Sequence, residues 1–467
     1  MEAIIRPFTW FYHEFGLDHI HATGRNAYLV ILSRSMRMLA HGAVSLFLAL
    51  YFAELKITDQ YIGLFMTLTL LGDVILGIYL TLIADRFGRR NVLLLGSTMM
   101  MATGIIFAVF ENYWILLIAA VIGVVSATGG DFGPFRSIEE SIIYELTETS
   151  TRADVLAWYV TFSTVGSSLG NESSGRIIHY LEGLNNWSLL DAYRAVFWIY
   201  AGIGAFNAFL AFCLTKDCEM KKGGGAAYEL VHSEQDEENE IESNGSPLQE
   251  SRDGLQDEPL EEPKAKSWHS RFTGQLSQVS ASTFKATWKL MFLLAVDSIS
   301  DGMAAYPLTN YYMDQKFHPR KSTLGDIMSV AYFLGAISSV FAGPLARRVG
   351  LINAMVWSHA PSSASILFFP MPNNLPMTVV LLFTRAGLNN MDQAPRGALI
   401  AALTPPEERT AVLGIMGTLR MFAAMPGPWI TGNLASIDLF GLAFSIGGSC
   451  RLAYDLSLYV LFRGTKL

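Results

Sequence analysis

Twelve long apolar stretches separated by short polar segments make up most of this chain. An apolar run of about 20 residues, at 1.5 Å per helical residue, is long enough to cross the roughly 30 Å hydrocarbon layer of a bilayer. The pattern predicts spans at about 27–53, 60–82, 91–110, 114–146, 153–176, 191–215, 285–313, 322–346, 350–370, 375–402, 409–433 and 437–463. We therefore expect an all-α membrane protein with twelve transmembrane helices.

The predicted spans form two groups of six, joined by a polar segment. We assign residues 1–26 to an N-terminal lead-in, 27–215 to a first six-helix bundle, 216–284 to a linker, and 285–467 to a second bundle. The linker contains an acidic run and several prolines and has few apolar residues, so we expect most of it to be disordered. In the long fourth span, glycines next to Pro134 are expected to bend the helix.

Composition and charge agree with this pattern. Of 467 residues, 51% are hydrophobic and 16% are charged, whereas a soluble domain has about 25% charged residues. Basic residues in short loops favour the cytoplasmic side of a membrane. An N-terminus in the cytoplasm places most of them inside, namely Arg86, Arg89, Arg90, Arg152, Arg347, Arg348, Arg409, Arg463 and Lys466. We therefore expect both termini and the linker to be cytoplasmic.

An internal repeat relates the two halves. The segment Asp85-Arg86-Phe87-Gly88-Arg89-Arg90 has a counterpart, Arg347-Arg348-Val349-Gly350, beginning 262 positions later (347 minus 85). Three further segments match at offsets of 257 to 261 residues, in the same order. A duplicated multi-span half is typical of solute carriers that work by alternating access.

The segment from Asp85 to Arg90 resembles the signature loop of the major facilitator superfamily, which joins spans two and three. The family pattern begins with Gly four residues before the Asp, where this chain has Thr81. In the second half Gly343 restores that glycine, and Arg347 replaces the Asp. The resemblance covers essentially the whole chain. It implies two pseudo-symmetric six-helix bundles around a central cavity lined by spans one, four, seven and ten.

The same resemblance implies a gating loop. Asp85 and Arg89 would belong to a latch between the halves that holds the outward-facing state. In the alternative interpretation, the arginines only anchor the loop on the cytoplasmic side. The predicted gating residues are Asp85, Arg86, Gly88, Arg89, Arg90, Arg347, Arg348 and Gly350.

Several ionisable residues fall within the predicted spans. Such residues cost about 2.5–3.5 kcal/mol at the membrane centre, so they usually face a cavity or a partner. Arg34, Arg37 and His41 share one face of span one, and Asp297 and Asp301 are one turn apart on span seven. Spans four and ten add further candidate binding residues, Asp131, Arg136, Arg385, Asp392 and Arg396.

Two interpretations of these charges remain open. In the first, they form structural pairs, such as Arg37 with Asp297 and Asp392 with Arg396, which make charge tolerable in hydrocarbon. In the second, they bind a polar solute and a coupling proton. The proton step would then use His41 and Asp301. An anionic substrate group would be bound by the arginines Arg37, Arg136 and Arg396.

Charged residues on other spans receive simpler interpretations. Asp73 in span two is expected to face Arg420 of span eleven or a cavity. Glu139 and its acidic neighbours approach the end of span four and are expected to reach water. Arg451 and Asp455, four residues apart on span twelve, are expected to form a self-contained pair.

The sequence therefore predicts a eukaryotic secondary active transporter that moves a small polar or charged organic solute by alternating access, coupled to protons. The alternative is a non-transporting nutrient receptor or membrane scaffold. Neither a Gly-rich phosphate loop nor a hydrolase motif occurs, so we expect no enzyme activity, no cofactor and no metal. The expected partners are the solute, protons and lipid, without nucleic acid, for a monomer. The plasma membrane is the default location, with the vacuole or another internal membrane as the alternative.

Overall fold

The computed structural model describes residues 17–123, 134–148, 151–219, 280–405 and 408–463. The helices of the first half are α1 (Leu17–Thr23), α2 (Arg25–Glu54), α3 (Asp59–Phe87), α4 (Arg89–Val109), α5 (Tyr113–Gly123), α6 (Pro134–Leu146), α7 (Arg152–Glu182) and α8 (Leu189–Phe212). Those of the second half are α9 (Ala281–Met303), α10 (Tyr306–Phe317), α11 (Lys321–Val349), α12 (Leu351–Phe368), α13 (Leu375–Asn389), α14 (Gln393–Ala402), α15 (Arg409–Ala424), α16 (Pro426–Ala435) and α17 (Phe440–Phe462). The predicted all-α fold class is confirmed.

Three of the twelve predicted spans, all in the second half, consist of two helices each with a described break between them. Span seven breaks between α9 and α10, just before Pro307, and span eleven breaks at Pro426, because proline cannot supply the backbone N–H of a continuous helix. Span ten is interrupted by a 3-10 turn at Asn390–Asp392. The interval between α5 and α6 in span four lies outside the described residues, as do Gly129, Gly130, Gly133 and Asp131. Broken spans place free backbone groups at membrane depth, where solute carriers bind their ligands.

The helix bundle has two ends. At the linker end, residue 219 leaves the first half and residue 280 begins the second; the other end is called the distal end. Two parts of the predicted linker 216–284 belong to the helical structure: Lys216–Cys218 forms a 3-10 turn with Cys218 buried, and α9 already begins at Ala281. Residues 220–279 lie outside the described ranges.

The buried apolar core is organised differently at the two ends. One large cluster belongs to both halves and lies toward the distal end; it includes Phe52 and Phe65 of the first half and Tyr312 and Phe444 of the second. Toward the linker end each half has its own cluster. Representative members are Ile142 and Val155 in the first half, and Leu290 and Val412 in the second. The halves therefore share a core at one end only.

Two glycine crossings bring the halves into close contact near the distal end. A Cβ on Gly432 of α16 would lie 2.5 Å from the carbonyl oxygen of Asp59 and 2.9 Å from the Cα of Gly63 in α3. A Cβ on Gly175 of α7 would lie 2.9 Å from the Cα of Gly325 in α11. Gly63 and Gly325 are 262 positions apart, and Gly175 and Gly432 are 257 apart, which are offsets of the sequence repeat. The two crossings are thus equivalent under the pseudo-symmetry.

Apolar length is distributed unequally between the halves. Among the described residues, four helical segments are long and apolar enough to cross a membrane by themselves, and all belong to the first half. They are Arg25–Glu54, Asp59–Gly77, Arg89–Val109 and Leu189–Phe212. In the second half, three of the six spans are broken into shorter helices.

Candidate functional site

A buried ion cluster in the first half is centred on Glu139 of α6, whose side chain is fully buried. Its Oε1 lies 2.9 Å from Arg37 Nη2, and its Oε2 lies 3.9 Å from Arg34 Nη1. The Tyr159 hydroxyl donates a hydrogen bond of 2.8 Å to Oε2. The guanidinium groups also lie over aromatic rings, Arg37 over Phe135 and Arg34 over Tyr159. We call these five residues the Glu139 cluster.

Two sequence-based interpretations are wrong here. Glu139 does not reach water, because it is enclosed between α2 and α7. The pair between Arg37 and Asp297 does not form either, since Arg37 is engaged by Glu139 and Asp297 lies beside Arg451 of its own half. Pseudo-symmetry places equivalent residues at equivalent depths in separate bundles, and here each bundle neutralises its own charges.

Three other first-half candidates lie around this cluster or away from it. His41 is partly buried, its ring packs edge-on at 5.9 Å against Tyr200, and its Nδ1 has no hydrogen-bond partner among the described residues. Arg136 pairs with Glu140 at 2.7 Å near the surface of the bundle. Asp73 is buried, and its Oδ1 has no hydrogen-bond partner in the described part of the chain.

In the second half, Arg451 of α17 is the centre of a larger network. Its Nη1 donates a hydrogen bond to Asp301, and its Nε lies 3.5 Å from Asp297 Oδ1. Its Nη2 contacts His359 Nε2 and donates to Asn389 Oδ1 at 2.5 Å. Asp301 keeps 34% of its side chain exposed, whereas Arg451 and Asp297 keep 1% each. The network therefore has one end that water can reach.

His359 of α12 connects Arg451 to a third carboxylate, Asp455. A guanidinium can only donate, so His359 Nε2 must accept from Arg451. The ring proton is then on Nδ1, which donates to Asp455 Oδ1 at 2.7 Å. The Ser363 hydroxyl donates to the other Asp455 oxygen at 2.8 Å. We call Asp297, Asp301, His359, Ser363, Arg451 and Asp455 the Arg451 network.

This network corrects the interpretation of Arg451 and Asp455 as a self-contained pair. Both side chains are on α17 at the predicted one-turn spacing, but each hydrogen bonds to a residue on another helix, Asp301 or His359. The physical reason is that a buried ionic group must satisfy several lone pairs or N–H groups, which one neighbour on the same helix does not provide.

Span ten contributes two arginines with separate roles. Arg396 pairs with Asp392 at 2.9 Å, and both are buried, so the pair expected from their spacing is present. Arg385 donates to the carbonyl oxygen of Ala304 at 2.6 Å and to Thr309 Oγ1 at 3.1 Å. Its guanidinium thus binds the backbone at the break of span seven, where a cation is favoured by the C-terminal end of α9.

The segment between α3 and α4 has a specific turn geometry. Gly88 has φ of 92°, a left-handed conformation that favours glycine, and the amides of Arg89 and Arg90 donate to Glu219 at 2.7 and 3.2 Å. The side chains of Asp85 and Arg86 lie outside the described part of the structure.

The arginine side chains of this segment also contact the first half. Arg89 Nη1 donates to the carbonyl oxygen of Ser141, and Arg90 Nη2 donates to that of Phe212. The equivalent turn between α11 and α12 has the same conformation, with φ of 86° at Gly350, and its neighbours Arg347 and Arg348 are exposed. The latch between halves therefore stays a prediction.

Sequence reasoning missed His359 and Tyr159 altogether. A signal for His359 was available, because a histidine followed closely by Ser362 and Ser363 in an apolar span is a candidate intramembrane polar site. No local signal identifies Tyr159, since its partner Glu139 is on another helix. Of the predicted candidates, the structure brings together Arg34 with Arg37, Asp297 with Asp301, and Asp392 with Arg396.

Comparison with known proteins gives a consistent result. The family model described as Major Facilitator Superfamily matches residues 30–283 and 290–459. The Uncharacterized membrane protein YJR124C of Saccharomyces cerevisiae is 30% identical over 443 residues, covering 94% of each chain.

Solved structures share the fold at low identity. The nucleoside transporter NupG has a TM-score of 0.67 at 12% identity, over 94% of this chain and 100% of that one. The xylose transporter XylE from E. coli, in a partially occluded inward open conformation, has a TM-score of 0.63 at 13% identity, over 95% and 100% of the two chains. At such identities the likeness establishes the fold alone.

Proposed function

The chain belongs to the Major Facilitator Superfamily, and we propose that it carries a small polar or charged organic solute by alternating access, coupled to protons. Membership makes it an integral membrane protein of a solute-transporter family and not an enzyme. The proposal goes further in naming the solute class, the coupling ion and the residues that couple them.

Alternating access is supported by the unequal contacts at the two ends. The Tyr311 hydroxyl donates to Asp59 at 2.7 Å, and Asn310 donates to the carbonyl oxygen of Leu46 at 2.8 Å, so hydrogen bonds join the halves near the distal end. The same end holds the shared apolar cluster, whereas the linker end has two separate clusters. We interpret this conformation as closed at the distal end. With the linker cytoplasmic, as the basic loops favour, it faces inward.

Proton coupling is supported by one observation above all, the chain of hydrogen bonds from Asp301 through Arg451 and His359 to Asp455. Its exposed end, Asp301, can exchange protons with cavity water. Its interior member His359 is an imidazole, the side chain whose charge changes most readily near neutral pH. In this chain a carboxylate, a guanidinium and an imidazole are in contact with one another. A change of charge on one residue therefore changes which group its neighbour can hydrogen bond to.

Protonation of His359 would change the hydrogen-bond partner of its Nε2 atom. Protonated Nε2 becomes a donor and can no longer accept from Arg451. Asp297 Oδ1 lies 3.6 Å from Nε2 and has no hydrogen-bond partner among the described residues, so it is the available acceptor. Arg451 would then move relative to Asp301 of span seven and Asn389 of span ten. Spans seven and ten are both expected to line the central cavity. The change of hydrogen-bond partner at His359 would therefore alter the surroundings of a bound solute.

Among the described residues, the groups in contact with His359 come from α9, α17 and its own helix. Helix α17 presents Arg451, Asp455 and Tyr454, whose ring lies 5.5 Å from the imidazole. Helix α9 presents Asp297. Ser363 is on the same helix as His359. Two carboxylates and one guanidinium thus compete for the two ring nitrogens, and the balance between them would set the pH at which the exchange occurs.

The experiment compares the two intramembrane histidines. A thermal-shift screen of purified protein against solute classes at two pH values identifies a solute, and liposomes then measure its flux with and without a pH gradient. We expect His359→Gln to abolish gradient-driven uptake while solute counterflow continues. His41→Gln is the matched substitution in the first half, because His41 lies beside Tyr200 and, among the described residues, no carboxylate is hydrogen bonded to its Nδ1.

Each result is decisive. Loss of proton coupling in His41→Gln alone would move the coupling site to the first half, as one sequence-based interpretation has it. If uptake depends on the pH gradient in both variants as it does in the wild type, neither histidine couples protons to transport. The absence of any solute flux in wild-type liposomes would favour a receptor or scaffold instead of a carrier.

A further inference from the structure

Arg420 of α15 is a half-buried arginine with an unusual environment. Its Nε donates to the hydroxyl of Ser298 at 3.3 Å, which places the guanidinium beside α9. The charged groups that act on it are Arg396 and the carboxylates of Asp297, Asp301 and Asp392. Arg420 therefore lies beside α9 and near the Arg451 network, so the pairing with Asp73, one of the two alternatives for Asp73, is not observed.

Arg420 differs from the other intramembrane arginines in its partners. Most of those have a carboxylate partner, namely Arg37 with Glu139, Arg136 with Glu140, Arg396 with Asp392, and Arg451 with Asp301. Arg385 is instead hydrogen bonded to Ala304 and Thr309. Among the described residues, no carboxylate lies within 4.0 Å of the Arg420 guanidinium, and its one hydrogen bond uses Nε only.

We propose that Arg420 binds an oxyanion group of the transported solute, either a carboxylate or a phosphate. The planar guanidinium fork matches two oxygens of such a group, and its Nη groups carry no hydrogen bond to the described residues. A cation at membrane depth without a counter-ion is expected to face a cavity or a ligand. This assignment rests on the proposed transport function and gives that function an anionic substrate class.

The surrounding charges explain why the site would take an anion and not a cation. Each of the three carboxylates near Arg420 already lies beside another arginine: Asp392 pairs with Arg396, and Asp301 and Asp297 both lie beside Arg451. An added ammonium group would have to displace one of these arginines, whereas an added oxyanion could bind Arg420, which has no ionic partner in the described part of the chain.

The test measures binding to the full-length protein with paired probes that differ in charge. The pairs are lactate and lactamide, succinate and succinamide, and glycerol 3-phosphate and glycerol. We expect the charged member of at least one pair to raise the unfolding temperature of the wild type, and its uncharged partner not to do so. The carboxylate and phosphate pairs distinguish the two kinds of oxyanion.

The variants identify the residue. Arg420→Gln should bind the active oxyanion about 10- to 100-fold more weakly, the range expected for losing hydrogen bonds to a charged group. Arg420→Lys should fall between, because it keeps the charge but not the fork. Arg463→Gln is the control, since Arg463 is exposed at the linker end. Unliganded unfolding temperatures show whether each variant is folded.

Several outcomes would overturn the assignment. These are wild-type affinity in a folded Arg420→Gln variant, equal binding of charged and uncharged partners, or no response to any of the oxyanions. Flux separates this assignment from the transport proposal. If oxyanions bind through Arg420 but no flux is measured, the transport proposal is wrong and the assignment of the binding site stands. If an uncharged solute is transported and Arg420→Gln does not change its flux, the assignment of the binding site is wrong and the transport proposal stands.

Discussion

The two halves have the same arrangement of helices, but their buried charged residues have different partners. In the first half, the Glu139 cluster places two arginines around one carboxylate, with a tyrosine hydroxyl and aromatic rings completing the shell. In the second half, the Arg451 network has three carboxylates, one arginine and a histidine with both ring nitrogens in contact. The first arrangement contains no imidazole, the side chain whose charge changes most readily near neutral pH. The second contains one, His359.

This difference shows what duplication preserves. The glycine crossings at Gly63 with Gly432 and at Gly175 with Gly325 keep the repeat offsets, because the approach of two helices depends on backbone geometry. The charges do not keep equivalent partners: Arg37 of span one pairs with span four, whereas Asp297 of span seven lies beside span twelve. We infer that the first half uses buried charge to hold its helices together and the second half uses it for coupling.

The largest expected effect comes from breaking the Glu139 cluster. Glu139→Gln would remove the carboxylate that pairs with Arg37 and lies 3.9 Å from Arg34, and removing one partner of a buried ion pair typically costs about 3–5 kcal/mol. We expect poor recovery of folded protein and a large fall in its unfolding temperature. The matched control is Glu140→Gln, one residue along α6, because Glu140 pairs with a partly exposed arginine. Similar stability of the two variants would contradict a structural role for the first-half charges.

A smaller effect, on conformation, is expected at the glycine crossings. In Gly432→Val the added side chain would meet the carbonyl of Asp59 and the backbone of Gly63, and overpacking of this kind costs about 1–3 kcal/mol. We expect the distal end to open more often and flux to fall at least several-fold. Labelling of the cysteine in a Leu308→Cys background by an impermeant maleimide would report the opening, because Leu308 is buried in the shared apolar cluster.

The control for this variant is Gly202→Val on α8, where an added Cβ meets nothing within 4 Å. It should leave flux and labelling unchanged. Equal labelling in Gly432→Val and the wild type would show that the crossing does not hold the distal end closed. The equivalent substitution at Gly175 should act in the same direction, since the two crossings are related by the repeat.

The sequence predicted the fold well because the fold depends on apolar length and on a repeat, both of which are visible in one chain. It predicted the location of intramembrane charges for the same reason. It could not predict most partners, since Glu139 and Arg37, or His359 and Arg451, are about a hundred residues apart. Spacing along one helix was right for Asp392 with Arg396 and wrong for Arg451 with Asp455. Only packing between helices decides such cases.

The smallest expected effect concerns the linker end, where the halves again differ. Glu408, at the start of α15, accepts a hydrogen bond from the backbone amide of Ser280 at 3.1 Å and thereby ties span eleven to span seven. The Thr283 hydroxyl, together with Ser280, lowers the pKa of the Glu408 carboxyl. Its first-half counterpart, 257 positions earlier, is Thr151, which makes no side-chain cap hydrogen bond to α7.

The sign of the pH effect follows from the lowered pKa of Glu408. Its stabilising contribution is present above the unfolded pKa, about 4.3 for glutamate, and is lost as the pH falls through the lower folded value. Glu408→Gln should therefore unfold at a slightly lower temperature than the wild type at pH 7, and the difference should shrink as the pH falls below the unfolded pKa. Thr151→Ala should show no such pH dependence. A constant difference between Glu408→Gln and the wild type from pH 7 to pH 3 would mean that the ionised carboxylate does not hold the two spans together.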